Sequence, residues 1–177
     1  MKRSILFLGA LFSTMALFAQ DDMETRWPAE YEPAKSKFFV RNEIEISADP
    51  QVIWDVLVQA EAWPAWYKGA KNVEVSTSGQ GELTTNGVFT WKTMGLNFES
   101  TIREFEPPYR LSWESRKKSI QGYHAWLIIP TATGAKVITE ESQNGWLTFF
   151  EKTFQGKKLR RLHDVWLAEL KKMSETP

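Results

Sequence analysis

From residue 71 to residue 143 the chain is written in short runs of alternating apolar and polar residues, each closed by turn-forming residues. Such a period-two pattern fits half-buried strands and very little else. The runs cover 71–77, 87–94, 96–105, 109–116, 122–130 and 135–143. Three of the connections, "MG" (94–95), "EPPY" (106–109) and "TATG" (131–134), are long enough only to reverse the chain, so the strands they join pair antiparallel. "FFVRNEIEIS" (38–47) alternates in the same way and supplies a seventh strand.

Helical signals flank the meander. Asp49 is placed as an N-cap with Pro50 at the first helical position, and Val52, Ile53, Val56 and Leu57 form an apolar stripe. Pro64 breaks that helix, and "PAWYKG" reads as a short second one ended by Gly69. Leu147, Phe150, Phe154, Leu159, Leu162, Trp166, Leu170 and Met173 recur at helical spacing, which predicts a long helix from about Trp146 to Met173 with a kink or break at Gly156. Strand, two short helices, six strands and one long helix make an α+β domain, in which the antiparallel sheet covers its apolar face with the last helix.

The turns set which side chains share a face. "MG" sets Trp91 against Phe98 and Phe89 against Ser100, "EPPY" sets Ile102 near Trp113, and "TATG" sets Trp126 against Thr139 and His124 against Glu141. One face then collects Phe89, Trp91, Phe98, Ile102, Trp113 and Trp126 with small polar residues among them. The other collects Lys92, Glu99, Arg103, Glu114, Arg116, Lys136 and Glu140. In these six strands the inner face carries two ionisable residues, His124 and Glu141. A lone buried charge is costly, so a pair is what physics permits, and both pKa values are expected to move toward the protonation that keeps the pair bonded. The pair reads either as a structural cross-strand contact and ligand anchor or as a general acid/base. His163 reads as a boundary residue of the last helix.

Composition excludes several classes. With no cysteine, disulfides, iron–sulfur clusters and thiol catalysis are out, and two histidines predict no metal site and no cofactor. Residues 1–19, with Lys2 and Arg3 ahead of the apolar run Ile5–Phe18, read as a secretory signal peptide. Leu17 departs from the small residue usual two positions before a cleavage site such as Ala19. Its removal takes two of the 22 basic residues and none of the 22 acidic ones, and so small a negative balance offers nucleic acid nothing. The expected location is periplasmic or secreted. Residues 20–36 read as a polar leader or loosely docked arm. Nine tryptophans remain to be explained.

"VIWDVLVQAEAWPAWYKG", "GVFTW", "EFEPPYRLSWES", "GYHAWLIIP" and the terminal helix, in that order and spacing, resemble the START/polyketide-cyclase-like (SRPBCC) superfamily over about residues 37–174. The resemblance implies a helix-grip fold: the long helix lies across a strongly curved seven-stranded sheet, over a deep apolar cavity. It also implies binding of a hydrophobic or aromatic small molecule or lipid, and in some members cyclase, aromatase or dehydratase chemistry. It transfers no role to His124 or Glu141. Trp63, Trp66 and Tyr67 fall where relatives have the cavity mouth, as gates or as a latch on the short helices. Phe149, Phe150, Phe154 and Leu162 are candidates for the roof, with core packing as the alternative for each. The predicted lining adds Phe89, Trp91, Phe98, Ser100, Ile102, Trp113, Trp126 and Thr139 to the His124–Glu141 pair.

Three functions fit this reading. One is an exported carrier or sensor of an apolar molecule; another is a cyclase- or dehydratase-type enzyme using His124 and Glu141. The third is an interaction module with a filled core. "KKLRRLH" (157–163) gives the last helix a basic band, read either as a solvated face or as a site of transient contact with anionic membrane. Nothing in the sequence sets the oligomeric state.

Overall fold

The computed structural model describes residues 24–76, 80–146 and 156–176. Strand β1 (Phe38–Ile46) leads through Asp49 into α1 (Pro50–Val58). The Asp49 carboxylate accepts the Gln51 backbone N–H at 2.8 Å, which satisfies one of the free donors at the helix start. A 3₁₀ turn (Ala60–Ala62) and the four-residue α2 (Trp63–Trp66) follow. The meander is β2 (Lys71–Val75), β3 (Val88–Thr93), β4 (Leu96–Glu106), β5 (Arg110–Arg116), β6 (Gln121–Thr131) and β7 (Gly134–Asn144), and α3 (Gly156–Glu175) comes last.

The seven strands form one curved antiparallel sheet in the order β1-β7-β6-β5-β4-β3-β2. Pairing follows the turns: Trp91 faces Phe98, Ile102 faces Trp113, Trp126 faces Thr139 and His124 faces Glu141. Met94 and Gly95 both take positive φ, as a two-residue hairpin turn demands. A bulge at Arg103 shifts the register between Ile102 and Glu104. It brings Phe105 opposite Leu111 and edge-on to Trp54 of α1 at 5.1 Å.

Helix α3 runs along β1 and against α1. Polar contacts hold it there: Lys171 donates to the Glu45 carbonyl, Arg160 to the Arg41 carbonyl and Asn42 to Asp164. Its buried stripe is Leu159, His163, Trp166, Leu167, Leu170 and Ser174. This is a small rotation from the predicted one, and it leaves Met173 exposed. Trp146 lies in an exposed bend rather than in the helix. The predicted stretch with Leu147, Phe149, Phe150 and Phe154, and any kink ahead of Gly156, lie outside the described residues. In α1, Trp54 and Val58 join Ile53 and Leu57 in the core while Val52 is exposed, so that stripe too is rotated.

The outer face is less bare than its charges suggest. Trp27 and Tyr31 pack on Tyr123 at 5.7 and 5.6 Å, and the Tyr31 hydroxyl donates to Glu114. Arg110 donates twice to the Glu24 carbonyl, and Thr25 donates to Glu140. Residues 24–36 therefore lie docked on the sheet, and Glu114 and Glu140 are buried beneath them. The polar composition of this segment hid its two aromatic contacts.

Candidate functional site

Between the sheet and α3 the aromatic rings meet one another first. Trp166 enters from the helix, edge-on to Trp63 and Trp126 at 5.1 Å each and stacked on Tyr67 at 4.3 Å. Phe89, Trp91 and Trp113 close the cluster from the sheet. Two indoles find partners: Trp63 donates to the Leu57 carbonyl at 2.9 Å, and Trp91 to the Ser100 hydroxyl at 3.0 Å. These rings fill the middle of the domain. The free space is displaced to one end, where the β3–β4 turn, the β5–β6 connection and the first turns of α3 converge.

There, a cleft of about 640 Å³, open solvent included, is walled by Trp91, Leu96, Phe98 and Trp113 from the sheet and Leu159, Leu162 and Trp166 from the helix. Tyr67, Thr93, Met94, Ser115, Ile120 and Gly122 complete the apolar and small lining. One polar patch interrupts it: His124, Glu141, Gln143 and His163.

The alternation of β6 and β7 places the first three of these residues. His124 and Glu141 are cross-strand partners, and Gln143 is the next inward residue of β7. His124 Nδ1 lies 3.4 Å from Glu141 Oε2, while its Nε2 meets the Thr139 hydroxyl at 2.7 Å. His163 enters from α3, with Nε2 3.2 Å from the same carboxylate oxygen. Gln143 donates to the other oxygen, Oε1, at 2.5 Å. The His124 ring lies 4.6 Å from Trp113 and parallel to Trp126.

Burial decides the charge state of His124. It pushes His124 down to about 3, and the neighbouring carboxylate offsets only part of that. Burial alone would raise Glu141. The hydrogen bond from His163, the two imidazoles and the Gln143 amide outweigh it and hold the carboxyl at about 2. The expected mutual shift is therefore seen on the carboxylate and not on His124, whose ring is packed between indoles. At neutral pH a carboxylate faces a neutral imidazole.

Of the predicted lining, Tyr67, Trp91, Phe98, Trp113, His124, Glu141 and Leu162 reach the cavity. Trp63 does not: it is fully buried and holds the short helices down, the latch arrangement and not the gate. Trp66 is half-buried against Tyr67. Phe89, Ile102 and Trp126 belong to the packed core. Ser100 sits behind Trp91, and Thr139 behind His124. Phe149, Phe150 and Phe154 lie outside the described residues. His163 is a correction: 2% exposed and on the carboxylate, it is no boundary residue. Its spacing of four from Leu159 and three to Trp166 was the available signal, masked by the basic residues on either side. Gln143, two residues beyond Glu141 on the same face, could also have been found.

Comparison with known proteins agrees with this architecture. A hypothetical protein, jhp0584, from Helicobacter pylori is 26% identical, with a TM-score of 0.80 over 86% of this chain and 96% of that one. A START superfamily protein from Mycobacterium smegmatis is 14% identical, with a TM-score of 0.56 over 77% of this chain and 94% of the other. The di-domain ARO/CYC BexL from the BE-7585A biosynthetic pathway is 16% identical, with a TM-score of 0.61 over 79% of this chain and half of that one. These last two likenesses show the helix-grip fold alone. No curated protein is significantly similar in sequence. Residues 37–175, from the start of β1 to the end of α3, match the family described as polyketide cyclase/dehydrase and lipid transport, and the chain belongs to that family.

Proposed function

We propose that this is an exported protein that binds one hydrophobic or aromatic small molecule, lipid-like or polyketide-like, in the cavity between sheet and α3. One observation carries the reading: among the described residues, a wall of indole, phenyl and leucine side chains is broken by one polar patch, the usual composition of a small-molecule site. The apolar wall supplies affinity, and His124, Glu141, Gln143 and His163 orient a polar end of the ligand. Three lining residues, Trp91, Trp113 and Trp166, make tryptophan emission the natural reporter. Titration with a hydrophobic naphthalene-sulfonate dye is expected to quench it saturably at one site per chain, and Leu162→Trp, which fills the space, to abolish that site. Linear quenching without saturation, or saturation untouched in the variant, would refute the reading. Native mass spectrometry of mildly purified protein is expected to show the cargo itself.

Export is proposed from Lys2, Arg3 and the apolar run that follows. The mature protein should begin near Gln20 when its N-terminus is sequenced; a retained Met1 in the exported fraction would contradict this. The exposed Lys157 and Arg161 flank the cavity-lining Leu159 and Leu162, which supports loading or delivery at an anionic membrane surface.

The second reading is a cyclase- or dehydratase-type enzyme. Its support is an ionised Glu141 beside a neutral His124 on the cavity wall, two bases placed to take a proton from the bound molecule and return it later. If it holds, His124→Ala abolishes turnover while dye affinity survives. Loss of affinity with no detectable reaction in wild type favours the carrier.

A further inference from the structure

His124, Glu141 and His163 come from β6, β7 and α3, yet each offers a donor atom within 4.8 Å of the other two. The separations to the carboxylate, 3.4 Å from His124 Nδ1 and 3.2 Å from His163 Nε2, are long for charge-assisted N–H···O bonds, which close to about 2.7–2.9 Å. They are also the separations that two ligands of one tetrahedral ion keep from each other, and the two imidazole nitrogens lie within 4.8 Å of one another. Bonds of about 2.0–2.1 Å at tetrahedral angles put neighbouring donors roughly 3.3–3.4 Å apart. Both imidazole nitrogens lie within 3.4 Å of one oxygen, Glu141 Oε2, and the other oxygen is already engaged by Gln143.

Outer partners strengthen the case. Ligating imidazoles and carboxylates are normally oriented by a second hydrogen bond on their far side. Thr139 supplies it for His124 at Nε2 and Gln143 for Glu141, while His163 Nδ1 has none among the described residues. All three donors also border the cavity. An ion held there keeps its fourth position open toward the ligand, as ions with three protein ligands do.

We propose that His124, Glu141 and His163 form a binding site for a divalent transition-metal ion of the zinc type, open to the cavity. Two imidazoles and one carboxylate suit zinc, cobalt, nickel or ferrous ion and disfavour magnesium or calcium, which take all-oxygen sets. The open position would take a carbonyl or carboxylate oxygen of the bound molecule. The site goes beyond the cavity reading, since metal binding is measured with no organic ligand present.

The test uses the full mature chain, stripped with a chelator and titrated with Co²⁺ and Zn²⁺. Expected are one ion per chain, the intense visible bands of low-symmetry cobalt, their displacement by Zn²⁺, and a higher melting temperature with Zn²⁺. Gln143→Leu and Thr139→Val should each weaken Zn²⁺ binding about 10- to 100-fold, and the ligand variants His163→Gln and Glu141→Gln by more. Circular dichroism identifies any variant that fails to fold; wild-type stoichiometry and cobalt spectrum decide the question without them. No cobalt band in wild type, or binding unchanged in folded His163→Gln and Glu141→Gln, overturns the proposal and leaves the cluster a hydrogen-bonded patch. Dye quenching of the metal-free protein tests the cavity separately, so failure of one is not read as failure of the other.

Discussion

Trp91 and Trp126 sit on neighbouring parts of the same inner face and are both buried, yet their indole N–H groups are treated differently. Trp91 donates to Ser100, whose hydroxyl continues to Ser115 at 2.7 Å. Trp126 Nε1 has no hydrogen-bond partner among the described residues. Removing a buried donor that is already unpaired relieves a desolvation cost, whereas removing a paired one deprives its buried acceptor of a hydrogen bond. Trp91→Phe is therefore expected to destabilise the domain by at least about 1 kcal/mol more than Trp126→Phe. Urea denaturation midpoints at equal m-value measure the difference, and equal losses would show that packing volume alone sets the cost.

At the scale of elements, the β3–β4 hairpin carries a local conflict. Met94 holds a left-handed φ of 51°, a conformation that Asn tolerates and Met does not favour, while its side chain lines the cavity. Met94→Asn should stabilise the hairpin by about 1 kcal/mol and weaken dye binding. Melting temperature and titration read the two effects separately, and a destabilised variant would mean that the methionine contacts outweigh the turn.

The docked arm makes a second prediction at this scale. Burial would raise the Glu114 carboxyl, but hydrogen bonds from Arg116, Tyr31 and Arg103 override it and hold the group below the usual carboxylate range. The stability this contributes is complete above the unfolded pKa of about 4.3 and is lost as pH falls through the lowered folded value. The free-energy gap between wild type and Glu114→Gln should stay constant from neutral pH to about pH 5 and shrink in more acidic solution. A gap that does not shrink would remove charge as its origin.

Across the whole molecule, the aromatic core and the cavity occupy different ends of one interface. Rings around Trp63 and Trp166 close the centre, and free space remains where the β3–β4 turn meets the first turns of α3. A ligand that fills this space should slow amide exchange in 93–98 and 156–163 and leave the β1–β7 pairing as it was. Protection appearing instead around residues 24–36 would place the ligand on the outer face and count against the cavity. Among the described residues, no helix is long and apolar enough to cross a membrane.

Strand positions, their antiparallel pairing and the meeting of His124 with Glu141 were legible from residue order alone. Alternation and two- to four-residue turns are local rules, and each turn fixes the register of the strands it joins. Helix rotation is not local. The candidates 162 and 163 differ by one helical step, and only Trp166 locking among Trp63, Tyr67 and Trp126 turned His163 inward onto the carboxylate. Which aromatic residues fill and which ones line was likewise settled by packing, because rings on one face compete for the same volume. The charge on His124 followed from that enclosure: two residues opposite each other in a hairpin could be inferred from the chain, but not the indoles that shut water out around them.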